Sequence, residues 1–301
     1  MDQRLLLVHA HPDDETIGQG ATMASYVARG TQVTLVTCTL GEEGEVLVPE
    51  LEHIAADRED TLGEHRIGEL TNAMKELGVT DYRFLGGAGH YRDSGMSWDG
   101  QRRATARAET KEGTFWRADL LEASDLLVDI IREVRPQVLV TYDQHGSYGH
   151  PDHIQAHRVA TYATALAAVS SYRPELGEAW DIAKLYWGAM SANRMRDGLR
   201  ALRAAGDTTS FEGMDPEGEL PPFTVPDDQL SAVVDANDFA EAKIRAMKAH
   251  ATQIAVDGPF FSLSDNIGDQ VWGTEFYRLA KGLQGPTNED GLETDLFAGL
   301  G

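Results

Sequence analysis

The chain carries one cysteine, Cys38, in 301 residues. A lone thiol excludes an intrachain disulfide and a cysteine-based zinc site, and it fits a reducing compartment. Long apolar runs are missing as well. The first, Leu5 to Val8, is interrupted by His9 and His11, which makes it too short and too polar for a signal peptide or a membrane span. The chain therefore reads as cytoplasmic. Basic residues are scarce: 26 Lys and Arg face 49 Asp and Glu, for a formal net charge of -23. Such a field repels phosphate backbones and anionic lipid, so nucleic acid and membrane surfaces are poor partners and function must lie in a pocket for a small molecule. No Gly-x-Gly-x-x-Gly follows the first strand, which argues against a non-enzymatic nucleotide-binding module, the alternative from another class.

What is present describes a folded α/β protein. Hydrophobic residues make up 42% and charged residues 25% of the chain, close to globular averages, so disorder and low complexity are excluded. Leu5 to Val8 and Gln32 to Thr39 read as buried strands, with Thr16 to Arg29 helical between them. Helices are expected at Asp60 to Leu77, Trp116 to Glu133 and His153 to Ala168, and strands at Tyr82 to Leu85, Val138 to Tyr142 and Leu185 to Met190. Strands alternating with helices imply a largely parallel sheet covered on both faces. From about Ser191 to Asp235 the pattern weakens among glycines, prolines and acids, as in an insertion or lid. Helical spacing returns at Phe239 to Ala251, and Thr274 to Lys281 reads as a short helix. The expected organisation is a catalytic core over 1–190 and a C-terminal region, 191–301, that completes the substrate pocket without forming an independent domain. Cys38, in an apolar run, reads as a buried structural thiol.

Two clusters carry chemistry. Strand one runs into His11-Pro12-Asp13-Asp14-Glu15 and then a helix; the strand ending at Tyr142 leads to Tyr148-Gly149-His150-Pro151-Asp152-His153 and another helix. A helix N-terminus attracts capping acids, which accounts for one or two carboxylates but not for two similar His-Pro-Asp turns, each after a strand. Such turns sit at the carboxyl edge of an open α/β sheet, where ligands bind. One His-carboxylate turn and one His from the second turn can supply three protein ligands to zinc, leaving a position open, and the same set suits ferrous iron. A carboxylate left over can act as general base, and a second His can stabilise developing charge.

The paired motifs resemble those of the LmbE-like, or PIG-L, metal-dependent N-deacetylases, which carry a Rossmann-like fold and remove acetyl groups from N-acetylglucosaminyl conjugates. Further stretches, Thr37 to Glu45, His65 to Leu70, Tyr91 to Met96 and Glu293 to Leu296, are similar to the branch of that family that acts on N-acetylglucosaminyl-inositol in mycothiol biosynthesis. The resemblance implies His11, Asp14 and His153 as zinc ligands and Asp13 as general base. It further implies His150 as a charge-stabilising group oriented by Asp152, and Tyr148 as a mobile group that polarises the amide carbonyl. Arg66 and Asp93 match positions implicated in holding the substrate's polar groups, and Glu45, Met96 and Asn266 are further pocket candidates. The implied reaction is hydrolysis of the substrate acetamide to glucosaminyl-inositol and acetate; the related alternative is cleavage of a larger mycothiol S-conjugate amide. His9 and His157 read as packing residues. Trp116, Trp180, Trp187 and Trp272 are assigned to core or lid packing, with Trp98 left open.

Overall fold

Strands and helices alternate from the N-terminus as the apolar periodicity demands. The computed structural model describes residues 2–99, 103–256, 258, 261 and 272–301. In chain order the elements are β1 (Arg4–His9), α1 (Asp14–Ala28), β2 (Gln32–Thr37), α2 (Leu62–Leu77), β3 (Asp81–Phe84), β4 (Ser97–Trp98), β5 (Ala104–Thr105), α3 (Leu120–Val134), β6 (Val138–Thr141) and α4 (Pro151–Ala167). β7 (Lys184–Ser191), α5 (Ala192–Ala204), β8 (Thr224–Val225), β9 (Ala232–Asp235), α6 (Ala240–Ala249) and β10 (Thr274–Lys281) follow.

The main sheet runs β3-β2-β1-β6-β7-β10-β9, with β8 beside the end of β7. β3, β2, β1, β6 and β7 are parallel, and β10 lies antiparallel between β7 and β9. Because successive strand residues point to opposite faces, β1 feeds both layers of the core. Leu5 and Leu7 pack with Met23, Tyr26, Leu70 and Met74 on the side of α1, α2 and α6. Leu6 and Val8 pack with Leu127, Ile131, Val159 and Ala163 of α3 and α4. Each such side chain is worth about 1.5–3 kcal/mol on full burial. Cys38 belongs to the second layer and is buried. α2 stops where Gly78 adopts φ 74°, a left-handed C-terminal conformation that suits glycine.

Two stretches depart from the sequence reading. Thr274–Lys281 is a strand, not a helix: Glu275 and Tyr277 are buried while Thr274 and Phe276 are less so, the alternation of a strand, and pairing with both β7 and β9 overrides its helical spacing. Within the weakly patterned stretch, Ala192–Ala204 is a full helix. Ser191 Oγ accepts from the Arg194 N–H at its start, and Met195, Leu199 and Leu202 form a narrow buried stripe on an otherwise arginine-rich helix.

The chain leaves β1 toward β2 and β3 on one side, then returns to place β6 and β7 on the other. That reversal opens a crevice at the carboxyl ends of β1 and β6, the position where open α/β sheets bind ligands. Both motif turns emerge there. At the opposite flank the C-terminal tail closes the first core layer: Leu296 and Phe297 are buried in it, and Glu293 accepts from Lys184 Nζ, the Tyr186 hydroxyl and the Gly285 N–H. No helix among the described residues is long and apolar enough to cross a membrane.

Candidate active site

His11 lies two residues past the end of β1, and Asp14 opens α1. His153 comes from the first turn of α4, where Pro151 occupies the N-terminal position that needs no N–H donor. Three atoms converge. His11 Nδ1 lies 3.2 Å from Asp14 Oδ2, His153 Nε2 lies 3.3 Å from the same oxygen, and the two ring nitrogens are 3.3 Å apart. Ligand atoms about 2.0–2.1 Å from a tetrahedral cation are themselves about 3.3–3.4 Å apart, so the triangle has the dimensions of one face of such a site. The buried His153 Nδ1 has no hydrogen-bond partner. Two imidazoles and a carboxylate facing one point fit a divalent metal.

The other nitrogen of His11 faces carboxylates: Nε2 is 3.4 Å from Asp93 Oδ1 and 3.5 Å from Asp152 Oδ2. His11, Asp93 and Asp152 form a second group with metal-ligand spacing, as do His11, His150 and His153. In the second group, however, both carboxylates already accept other donors. Asp93 takes the N–H groups of Glu43 and Gly95, and Asp152 takes the Ser94 N–H and hydroxyl. They are better placed to orient the His11 ring from behind, as carboxylates do for metal-bound histidines. Burial pulls His11 toward its neutral form, but Asp93, Asp14 and Asp152 outweigh it and hold its pKa well above 6.5.

Asp13 sits at the helix N-cap position but makes no capping bond, so the bland explanation for this acid fails. Its backbone is held at φ 132°, a costly conformation outside glycine, with its N–H donating to Glu15 Oε2. Its carboxylate accepts from Arg66 Nη2 at 3.0 Å. Burial raises the Asp13 pKa to about 6 against the pull of Arg66, with Asp14 adding to the rise. Asp14 moves the other way: the burial penalty is outweighed by His153 and His11, leaving it well below the usual carboxylate range.

His150 caps α4, its Nδ1 accepting the Asp152 N–H at 3.1 Å. It is therefore the backbone N–H of Asp152 that meets this ring, while the Asp152 carboxylate turns to Ser94 and His11. Burial, then His11 and His153, push the His150 pKa well below 6.5. A neutral ring with Nδ1 accepting carries its proton on Nε2. Tyr148 stands with its ring edge-on to His153, centroids 5.0 Å apart, and on its other side the exposed Trp98 of β4 stacks at 6.2 Å.

The remaining candidates divide. Arg66 is buried and spent on protein groups, donating to Gly41 O, Pro12 O and Asp13; Gly41 has φ 69°, and a Cβ there would lie 2.0 Å from Arg66 Nη1. Glu45 and Met96 line the cleft, and Asn266 lies outside the described residues. His157 bonds the Tyr142 carbonyl from the helix face, and His9 is buried beside Tyr142 with its pKa lowered to about 4 by burial. Sequence reasoning gave no role to Ser94, Glu15 or Tyr142; Glu15, inside the first motif, and Ser94, inside the Tyr91 to Met96 stretch, offered a signal, and Tyr142 did not. The cleft has a volume of about 1840 Å³, its far wall built from Met190, Leu199, Phe211 and Phe223.

A parallel sheet with a His/Asp triangle at its reversal point and a raised carboxyl beside it defines a hydrolase-type centre. Residues 6–164 match the family described as PIG-L, GlcNAc-PI de-N-acetylase. The chain is 71% identical over 299 residues to the 1D-myo-inositol 2-acetamido-2-deoxy-alpha-D-glucopyranoside deacetylase of Nocardioides sp., covering 99% of each chain. It is 65% identical to the protein of the same name from Kribbella flavida, covering 99% of this chain and 98% of that one. Among solved structures, N,N'-diacetylchitobiose deacetylase from Pyrococcus horikoshii superimposes with a TM-score of 0.60 at 19% identity, covering 93% of this chain and 84% of that one. The chain belongs to the PIG-L family of de-N-acetylases, as the paired motifs imply.

Proposed function

We propose that the chain hydrolyses the acetamide of 1D-myo-inositol 2-acetamido-2-deoxy-alpha-D-glucopyranoside, releasing acetate and the free amine, with zinc held by His11, Asp14 and His153. The substrate follows from the names of relatives that match nearly end to end. The chemistry rests on one observation, the ligand triangle set beside Asp13. Zinc, or ferrous iron on the same donors, would act as a Lewis acid toward water and the acetyl carbonyl.

The chain's own groups divide the remaining work. Asp13, with a pKa near 6, takes the proton of the attacking water as its oxygen bonds to the acetyl carbon, and returns that proton to the nitrogen as the C–N bond breaks. His150 offers an Nε2–H and Tyr148 a hydroxyl to the oxyanion that develops on the carbonyl oxygen. Arg66 sets the Asp13 carboxylate in place. Glu45 and Met96, on the cleft wall, are assigned to the sugar or inositol.

The test is acetate release by metal-stripped and zinc-reloaded protein, in the parent and in Asp13→Asn. The variant is expected to keep its metal and lose roughly 100- to 10000-fold in turnover; parent-like turnover would remove Asp13 from the role of base. The cleft also exceeds the roughly 300–1,000 Å³ of ordinary ligand pockets, which favours, as a second reading, cleavage of a larger S-conjugate amide at the same centre. Assaying both amides in parallel separates the two.

A further inference from the structure

The two candidate ligand turns arrive on strands far apart in sequence, and one side chain touches both. Tyr142, directly after β6, is buried. Its hydroxyl donates to Asp14 Oδ2 at 2.7 Å and accepts the N–H of Ala10, the residue before His11, at 2.9 Å. The direction of the first bond is fixed because an ionised carboxylate only accepts. The ring of Tyr142 lies against that of His153, centroids 4.2 Å apart and planes 19° from parallel. One residue thus fixes the carboxylate of the first turn through its oxygen, the backbone entering that turn through the same oxygen, and the imidazole of the second turn through its ring face.

We propose that Tyr142 is a positioning residue for the metal centre, presetting Asp14 and His153 in their ligating arrangement before any metal arrives. The proposal rests on the assignment of His11, Asp14 and His153 as ligands, and it adds a group outside that ligand set. Its physical content is preorganisation. A carboxylate on the first turn of a helix has several rotamers, and a ring on the facing helix can swing; holding both removes an ordering cost that binding would otherwise carry. Hydrogen bonds to ligating groups from outside the coordination sphere typically change metal affinity 10- to 100-fold.

The experiment measures zinc affinity directly, by competition with a chromophoric chelator, in the parent, Tyr142→Phe, His153→Ala and Tyr186→Phe. Tyr142→Phe keeps the ring against His153 and removes only the hydroxyl, so zinc affinity is expected to fall roughly 10- to 100-fold. Tyr186 is buried on β7 and bonds Glu293 away from the cleft, so Tyr186→Phe is the control for loss of a buried hydroxyl and should leave zinc affinity within about twofold of the parent. Equal weakening in both tyrosine variants would make the effect a general loosening of the fold and overturn the proposal. Parent-like affinity in Tyr142→Phe, with binding lost in His153→Ala, would overturn it and leave the ligand assignment standing. Tight binding in His153→Ala, or none in the parent, would sink the ligand assignment and the proposal together. Should Tyr142→Phe not fold, the near-ultraviolet tyrosine difference spectrum of Tyr148→Phe on adding zinc decides: a shift is expected from Tyr142, and a flat spectrum would refute the contact.

Discussion

Asp13 and Asp14 are adjacent, chemically identical and oppositely treated. Two imidazoles draw Asp14 down, whereas burial drives Asp13 up to about 6, and that divergence is how a site obtains one permanent anion and one proton carrier from the same side chain. Arg66 restrains Asp13 and is itself enclosed, its guanidinium shared among Asp13 and two backbone carbonyls. Arg66→Ala should therefore reduce turnover on the inositol substrate and on plain N-acetylglucosamine by similar factors, because the side chain that Arg66 holds is Asp13, the proposed base. Steady-state kinetics on the two substrates checks this; a loss confined to the inositol compound would return Arg66 to substrate binding. At this scale much was legible: the paired His-Pro-Asp turns named residues that the structure brings together at one point. What they touch was not. Ser94 and Tyr142 reach the site only because segments far apart in sequence become neighbours, and although Ser94 lies within the Tyr91 to Met96 stretch, nothing local marks which groups they meet.

Helix α4 begins at a residue with two duties. His150 satisfies the Asp152 N–H as an N-cap and lines the cleft. His150→Asn keeps a good capping side chain and should leave stability near that of the parent while turnover falls roughly 10- to 1000-fold. His150→Ala should lose turnover and also about 1 kcal/mol of stability, read from urea unfolding; equal stability in the two variants would deny the cap. The β4–β5 hairpin near Tyr148 hangs on a different device. Glu43 accepts from Arg92 and Arg107 and lies 3.1 Å from Lys111 Nζ. Burial opposes the effect, but these three cations hold Glu43 below its ordinary pKa of 4.5. A depressed carboxyl contributes its stability in full above the unfolded value and loses it as pH falls through the folded one. Between pH 6 and 3 the parent's Tm should therefore fall more steeply than that of Glu43→Gln, by a modest margin since the cluster is partly exposed; parallel curves would show the cluster to be idle. Among elements the parallel half of the sheet was readable from periodicity, whereas β10 was not, because a strand flanked on both sides is set by its partners more than by its own spacing.

Across the whole molecule, the tail from Gly285 onward is tied to the sheet through a buried ion pair. Lys184 and Glu293 are both enclosed, so Lys184→Met, which strands the carboxylate, should cost about 3–5 kcal/mol in equilibrium unfolding, where a change under 1 kcal/mol would contradict it. The central strand has a longer-range consequence. β1 can pair with β2 as soon as residue 37 is made, but its other edge meets β6 only when Val138 arrives, 133 residues after Leu5. During synthesis that edge is a bare row of unpaired backbone N–H and C=O groups on an apolar strand, open to the wrong partner. The seam that waits for β6 is the one that joins the two motif turns, so the cleft cannot form before β6 docks, and a nascent chain stalled before β6 is at once sticky and inert.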